Sequence, residues 1–308
     1  MHAMPNGLSE FRIGDLPPVC GRWRDSMPKE RNSGVYVRYM GARRLLRSKI
    51  EWQLTKEELE FILSTVQLSA QQGDWGARAL LASFYRDGLG PLSSNNVLEA
   101  DPQKAVDIAR VAIAAGQAWG YHDLGVAYEN GYGGVPYDPK IAWAYYLKAA
   151  KLGSPEAQMA LAQAYSDAKQ PEAAMTMRMC AYQQGHGPAA NKLGSIANAR
   201  EEFGKAIAFY QDGVKFGSED AAAALFFYFD ASSWFAFEKA KQEALRNLGI
   251  IPDAERSRRY WEIRNALHIN PDLRLTRIDQ YLPLPPASIP PWNGFEDAVE
   301  ADAVPSYR

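Results

Sequence analysis

Five glycines set what this chain can fold into. Gly73, Gly116, Gly153, Gly185 and Gly217 each close a helical pattern, at spacings of 43, 37, 32 and 32 residues. A recurring period of that size marks a repeat array, which can run to the chain's 308 residues as one unit. Aligned on these glycines, the sequence falls into columns. Four residues on stand Ala77, Gly120, Ala157, Ala189 and Ala221; eight on, Leu81, Leu124, Leu161, Leu193 and Leu225; twelve on, Tyr85, Tyr128, Tyr165, Ala197 and Phe229. Residues at i, i+4 and i+8 share one helix face. The small residue lets the next helix approach closely, and the aromatic fills the space at the far end.

A second helix of each unit is read backwards from the closing glycine. Eleven before it stand Ala105, Ala142, Ala174 and Ala206; eight before, Ile108, Tyr145, Met177 and Phe209; four before, Ala112, Ala149, Ala181 and Gly213. Asp101-Pro102, Asp138-Pro139 and Gln170-Pro171 fall at one offset, a capping side chain followed by proline at the first helical position, and Ser154-Pro155 does the same for a first helix. The glycine itself supplies the left-handed residue that ends the second helix. A fifth, degenerate unit is expected from Gly217 to Gly249, with 237–248 as its second helix.

Before the array, Thr55-Lys56-Glu57-Glu58 is a capping box that opens a helix through about Ala70, read as a terminal cap. Residues 5–34 read as loop, with Arg43 and Arg47 one turn apart on a short helix. After the array, Pro252-Asp253 opens a helix to about His268, followed by the proline-rich stretch 281–294. Its prolines enforce an extended path. It reads either as a ligand for another domain or, the reading we prefer, as an arm packed on its own helices through Leu282, Leu284, Ile289 and Trp292. The expected organisation is an N-terminal segment (1–54, partly irregular), a capping helix (55–72), repeats (73–249), a helix and arm (250–294) and an acidic, disordered tail (295–308).

The columns resemble the Sel-one-like repeat, a relative of the tetratricopeptide repeat. The second unit fits best, with Leu124-Gly125-Val126-Ala127-Tyr128, the loop Asn130-Gly131-Tyr132-Gly133-Gly134-Val135, Asp138, the helix beginning Ala142-Trp143-Ala144-Tyr145-Tyr146, and Gly153. The resemblance implies an all-α, right-handed α-solenoid of helix-turn-helix repeats. Such repeats followed by Leu282-Pro283-Leu284-Pro285-Pro286-Ala287 and Pro290-Pro291-Trp292-Asn293-Gly294 resemble a bacterial family of immunity proteins. The likeness runs over about residues 55–294, and the tail carries most of its specificity. It implies a periplasmic protein that binds and silences an antibacterial type VI secretion effector, notably a phospholipase of the phospholipase D class.

The residues themselves offer no chemistry. None of His2, His122, His186 and His268 begins a His-x-Lys pair, and Gly-x-Ser-x-Gly, His-Glu-x-x-His and Cys-x-x-Cys are absent. The glycine loop 131–134 follows no strand pattern and matches the repeat's inter-helix turn, so it is no phosphate cradle. His186 reads as a turn or capping residue. We therefore expect no enzyme activity, no cofactor and no metal. A net charge of −2 argues against nucleic acid as partner. Basic residues gather in 1–50 and acidic ones at the C-terminal end, both read as solvated termini in preference to a partner-binding role. No window reaches the apolar length of a membrane span. Met1-His2-Ala3-Met4 has no export-signal character, and the second Met has the look of a cloning scar ahead of a trimmed sequence. Cys20 and Cys180 allow one disulfide or stand as two unrelated thiols; sequence leaves both open.

A helical wheel places offsets 3, 6, 10 and 13 after each glycine opposite the leucine column, on the first-helix face that lines the concave surface in stacked repeats. That face reads Arg86; Trp119, His122, Val126 and Glu129; Glu156, Met159, Gln163 and Ser166; Asn191, Ser195 and Asn198. A few large apolar groups within a polar rim suit a protein partner. The alternatives are an ordinary solvated surface, with Trp119 covered by the proline-rich arm, or an adaptor that scaffolds an envelope or signalling complex.

Overall fold

The structure, a computed structural model, describes residues 3–301. Apart from one isolated antiparallel bridge between Leu89 and Leu98, its regular structure is helical. The helices come as consecutive packed pairs: α1 (Ser33–Leu46) with α2 (Lys56–Gln71), α3 (Trp75–Asp87) with α4 (Pro102–Ala114), α5 (Ala118–Asn130) with α6 (Pro139–Lys151), α7 (Pro155–Asp167) with α8 (Pro171–Tyr182), and α9 (Gly187–Ala199) with α10 (Phe203–Lys215). This is the all-α arrangement of repeated helix pairs that the glycine columns require. The chain divides into two compact units, the first running to Gln184 and the second starting at Gly185.

Each closing glycine is left-handed, with φ of +92° at Gly73, +72° at Gly116, +98° at Gly153, +78° at Gly185 and +86° at Gly217. The small-residue column is fully buried at Ala77, Ala157, Ala189 and Ala221. At Gly120 a Cβ would lie 2.6 Å from the Ala112 methyl, so that column needs a glycine there. The caps form at Asp101, Asp138 and Ser154, whose side chains accept from Lys104, Ile141 and Ala157 backbone N–H groups. Thr55 and Glu58 make the reciprocal capping box. One expected side-chain cap does not form, because Gln170 sends its amide to the Ile13 carbonyl instead; His186 takes the N-cap position of α9, without a side-chain capping bond.

Residues 8–27 form a strap across the first unit. Leu8 joins the cluster around Tyr121 and Tyr128, Glu10 pairs with Lys140 at 3.2 Å, and Phe11 stacks on Trp143 at 5.3 Å. Cys20 is disulfide-bonded to Cys180. Such bonds persist in oxidising compartments. Beyond it, Gln158 donates to the Gly21 carbonyl at 3.1 Å, and the Trp23 N–H donates to Gln184 at 2.9 Å. A Cβ on Gly153 would enter the strap backbone at Arg22 and Trp23, and one on Gly21 the backbone at Lys151 and Gly153, a second demand on Gly153 besides its φ. Arg31 then clamps Asp74 through two hydrogen bonds of 2.7 and 2.9 Å, while Asp74 also caps α3.

In the second unit the expected fifth repeat is corrected. α11 (Glu219–Phe229) packs chiefly on α14 (Ala254–Ile269), while the 237–248 stretch meets it at the Tyr228 ring through Phe237 and Lys241. The period alone could not see that α13 (Lys239–Asn247) buries only Leu245, whereas α14 offers Tyr260, Ile263 and Leu267, all fully buried. A short α12 (Ala231–Ala236), anchored by Trp234, precedes α13, so 230–250 is an excursion between two packed partners.

The proline-rich arm lies on its own unit. Leu275, Ile278 and Leu282 are fully buried, with Leu284, Ile289 and Trp292 partly so. Buried Arg256 donates to the Pro283 and Ala287 carbonyls, and buried Arg259 to that of Tyr281. Disorder from residue 295 is also corrected: a helical turn, Phe295–Ala298, buries Ala298, and the Glu300 N–H donates to the Arg274 carbonyl at 2.8 Å. Residue 302 onward, like Met1 and His2, lies outside the described residues.

Overpacking the small column tests this register. Ala157→Trp should destabilise the protein by about 1–3 kcal/mol or more, read as a lowered melting midpoint by circular dichroism; an unchanged midpoint would contradict the packing.

Candidate functional site

The wheel face divides between the two units. The first holds Arg86, Trp119, His122, Val126, Glu129, Glu156, Met159 and Gln163; the second holds Asn191, Ser195 and Asn198.

Trp119 is a correction. It is fully buried, in a cluster with Trp23, Met27, Trp75 and Ala112, and its indole N–H donates to Gln117 at 2.8 Å. Offset 3 lies in the first turn of α5, where the strap passes, so a residue outside the repeat decides its exposure. What covers it is the N-terminal strap, not the proline-rich arm.

The remaining positions of the first unit are partly or fully exposed. Arg86 makes a bidentate pair with Asp87 at 2.9 and 2.7 Å, and this hydrogen bonding raises its pKa further. His122 has its Nδ1 3.3 Å from Asp123 and its ring 5.7 Å from Tyr146. Val126 is half-buried against the Tyr146–Leu161 cluster. Glu129 is exposed and accepts the Tyr146 hydroxyl at 2.5 Å. Burial first, and then this bond, push the Tyr146 pKa far above the usual phenol range. Glu156 accepts from the Ser154 hydroxyl at 3.2 Å, Met159 is half-buried, and exposed Gln163 donates to Asp167 at 2.7 Å.

In the second unit the Ser195 hydroxyl donates to the Asn191 carbonyl at 3.1 Å and lies 3.4 Å from the Tyr210 hydroxyl. Asn198 accepts the Tyr228 hydroxyl at 2.5 Å and sits 3.4 Å from the Lys241 ammonium. That ammonium lies over the rings of Phe237 (3.9 Å), Tyr228 and Phe203, and burial lowers its pKa. Asn198 is therefore engaged by α13, which the helical wheel could not foresee.

A column that the alignment passed over shapes this face. Seven residues before the closing glycine stand Ala109, Tyr146, Arg178 and Tyr210. Opposite them, nine after the preceding glycine, stand Ala82, Gly125, Ala162 and Gly194. A Cβ on Gly125 would lie 2.7 Å from the Tyr146 ring, and one on Gly194 2.6 Å from the Tyr210 ring. The large side chain of the second helix thus threads past a small residue to reach the first-helix face. Its polar tip then meets a predicted face residue: Tyr146 meets Glu129, Arg178 donates to Ser166 at 2.5 Å, and Tyr210 meets Ser195. Where the column holds Ala109, a small recess opens, lined by Arg86, Asp123 and Tyr132. The paired small and large polar residues were the signal available in the sequence.

Among the described residues no cluster of three or more His, Cys, Asp or Glu side chains has the geometry to hold a metal, and no helix is long and apolar enough to cross a membrane. The arrangement offers a rigid, hydrogen-bonded polar surface around half-buried Val126 and Met159.

Two substitutions separate core from face. Trp119→Ala should lower stability by about 3–5 kcal/mol, and Tyr146→Phe, which keeps the ring, by about 0.5–1.5 kcal/mol. Urea unfolding followed by far-UV circular dichroism measures both; a neutral Trp119→Ala would return that residue to the surface.

Comparison with known proteins bears on what such a face is for. Residues 230–307 match a family model described only as a domain of unknown function, DUF6396. No curated protein matches the chain. Among solved structures, the chain is similar to immunity protein Pa5087 from Pseudomonas aeruginosa, at 27% identity and a TM-score of 0.69, over 88% of this chain and 95% of that one. It is also similar to Pseudomonas aeruginosa 5086, at 26% identity, a TM-score of 0.69 and 88% and 96% coverage. A third is immunity protein PA5088 from the same organism, at 25% identity, a TM-score of 0.67 and 88% and 95% coverage. Over nearly nine-tenths of its length, the chain is structurally similar to these three Pseudomonas aeruginosa proteins, two of them named immunity proteins.

Proposed function

We propose that this chain is a non-catalytic immunity protein that binds an antibacterial effector delivered by type VI secretion and silences it by occluding its substrate or membrane access. The observation that carries this reading is the near end-to-end similarity to two structures named immunity proteins. The effector we favour is a phospholipase of the phospholipase D class, on the resemblance of the proline-rich tail. A periplasmic site of action agrees with the Cys20–Cys180 disulfide.

The contact surface is the first-helix face, without Trp119. In the first unit we assign it to Arg86, His122, Val126 and Glu129, with Glu156, Met159 and Gln163 on α7. In the second we assign it to Asn191, Ser195 and Asn198. Half-buried Val126 and Met159 supply apolar contact, and the residues around them a polar rim. The tyrosine and arginine tips hold that rim in place, which reduces the ordering cost of association.

The experiment is a sister-cell killing assay with a type VI phospholipase effector from the same strain. A deletion strain should die when it meets sister cells that carry the effector, and export of this protein to the periplasm should restore survival. Full survival of the deletion strain would refute immunity and leave an adaptor role. On the purified pair, Gln163→Arg should weaken binding about tenfold, or about 1.4 kcal/mol, with melting unchanged, because Gln163 is exposed and touches no core column.

A further inference from the structure

The two cysteines stand in opposite settings. Cys20 is exposed on the strap next to Val19, itself 90% exposed. Cys180 is 1% exposed, inside the cluster of Tyr146, Leu161, Tyr165 and Met177, against which Phe11 of the strap packs. The strap is anchored on both sides of Cys20 without the bond. Upstream, Phe11 stacks on Trp143 and meets the Tyr165 ring edge at 5.8 Å, and Ile13 accepts from Gln170. Downstream, Gly21 and Trp23 are held by Gln158 and Gln184, and the Trp23 ring lies 5.8 Å from Trp75. These contacts set the two Cα atoms 5.3 Å apart, within the span a disulfide bridges.

We propose that Cys20 is the oxidation site of this protein, the thiol at which an external disulfide donor enters, on a strap already seated by its flanking contacts. The Cys20 thiolate attacks one sulfur of the donor disulfide, forming a mixed disulfide and releasing one donor thiolate. The Cys180 thiolate, facing Cys20 from α8, then attacks the Cys20 sulfur and releases the second donor thiolate. Two chain thiols are oxidised, one donor disulfide is reduced to two thiols, and the two protons pass to the released thiolates. The reverse order is disfavoured, because Cys180 is buried inside a cluster against which Phe11 of the strap packs, whereas Cys20 is exposed. The kind of partner that fits is a thiol–disulfide oxidant acting on an extended chain, and the neighbouring exposed Leu16 (92%) and Val19 are side chains it can grip.

Single-cysteine variants with oxidised glutathione as the donor test this order, with the adduct followed by intact-protein mass spectrometry. Cys180→Ser, which keeps Cys20, should form its adduct about tenfold or more faster than Cys20→Ser, which keeps Cys180. In guanidinium the two should react at similar rates, so the native difference reports shielding and not intrinsic reactivity. Adding Phe11→Ala to Cys20→Ser should bring the Cys180 rate to within about threefold of the Cys20 rate, with the helical circular dichroism spectrum retained. Equal native rates for the two single variants would overturn the proposal. A Cys180 that stays slow after Phe11 is removed would overturn the role given to the strap.

Discussion

The helix stack depends on a backbone condition: one residue in the left-handed conformation at each closing turn. Only glycine meets it without a steric cost, and Gly73, Gly116, Gly153, Gly185 and Gly217 all do so. Within each unit, that turn lets the small column bury completely, at Ala77 and Ala157 in the first and at Ala189 and Ala221 in the second. Gly153 carries a second condition, because the strap backbone at Gly21 and Trp23 rests on it. A substitution there would disturb both the turn and the seating of the N-terminal segment.

Much of this was legible in the sequence. The closing glycines, the leucine and alanine columns and the caps at Asp101, Asp138 and Ser154 are local or strictly periodic, and elementary helix geometry decides them. What stayed hidden depended on segments without period. Trp119 has the spacing of an outward residue, yet it is buried because Trp23 and Met27, in a stretch that reads as loop, close over it. The fifth repeat has the right period over 217–249, but that stretch has too little apolar surface to compete with α14 for the face of α11. The pairing of Cys20 with Cys180 could not be read from two isolated cysteines 160 residues apart.

The face itself was half legible. Offsets 6, 10 and 13 do reach the surface on α5 and α7, but their neighbours come from second helices. Tyr146, Arg178 and Tyr210 pass through gaps left by Gly125, Ala162 and Gly194 and fix the residues they meet. The surface is thus preorganised by the core and does not consist of free side chains on exposed helices. That property suits tight binding to a folded partner, where ordering flexible groups would offset part of the contact energy.

The central claim is that the first-helix face of a non-catalytic repeat protein engages an effector. Hydrogen–deuterium exchange of the protein alone and with the effector it protects against tests it most directly. The account predicts added protection in peptides spanning α5 and α7, residues 118–130 and 155–167, with the strap at 8–27 unchanged. A stable complex whose protection falls only on the strap or the proline-rich arm, leaving α5 and α7 as they were, would contradict it.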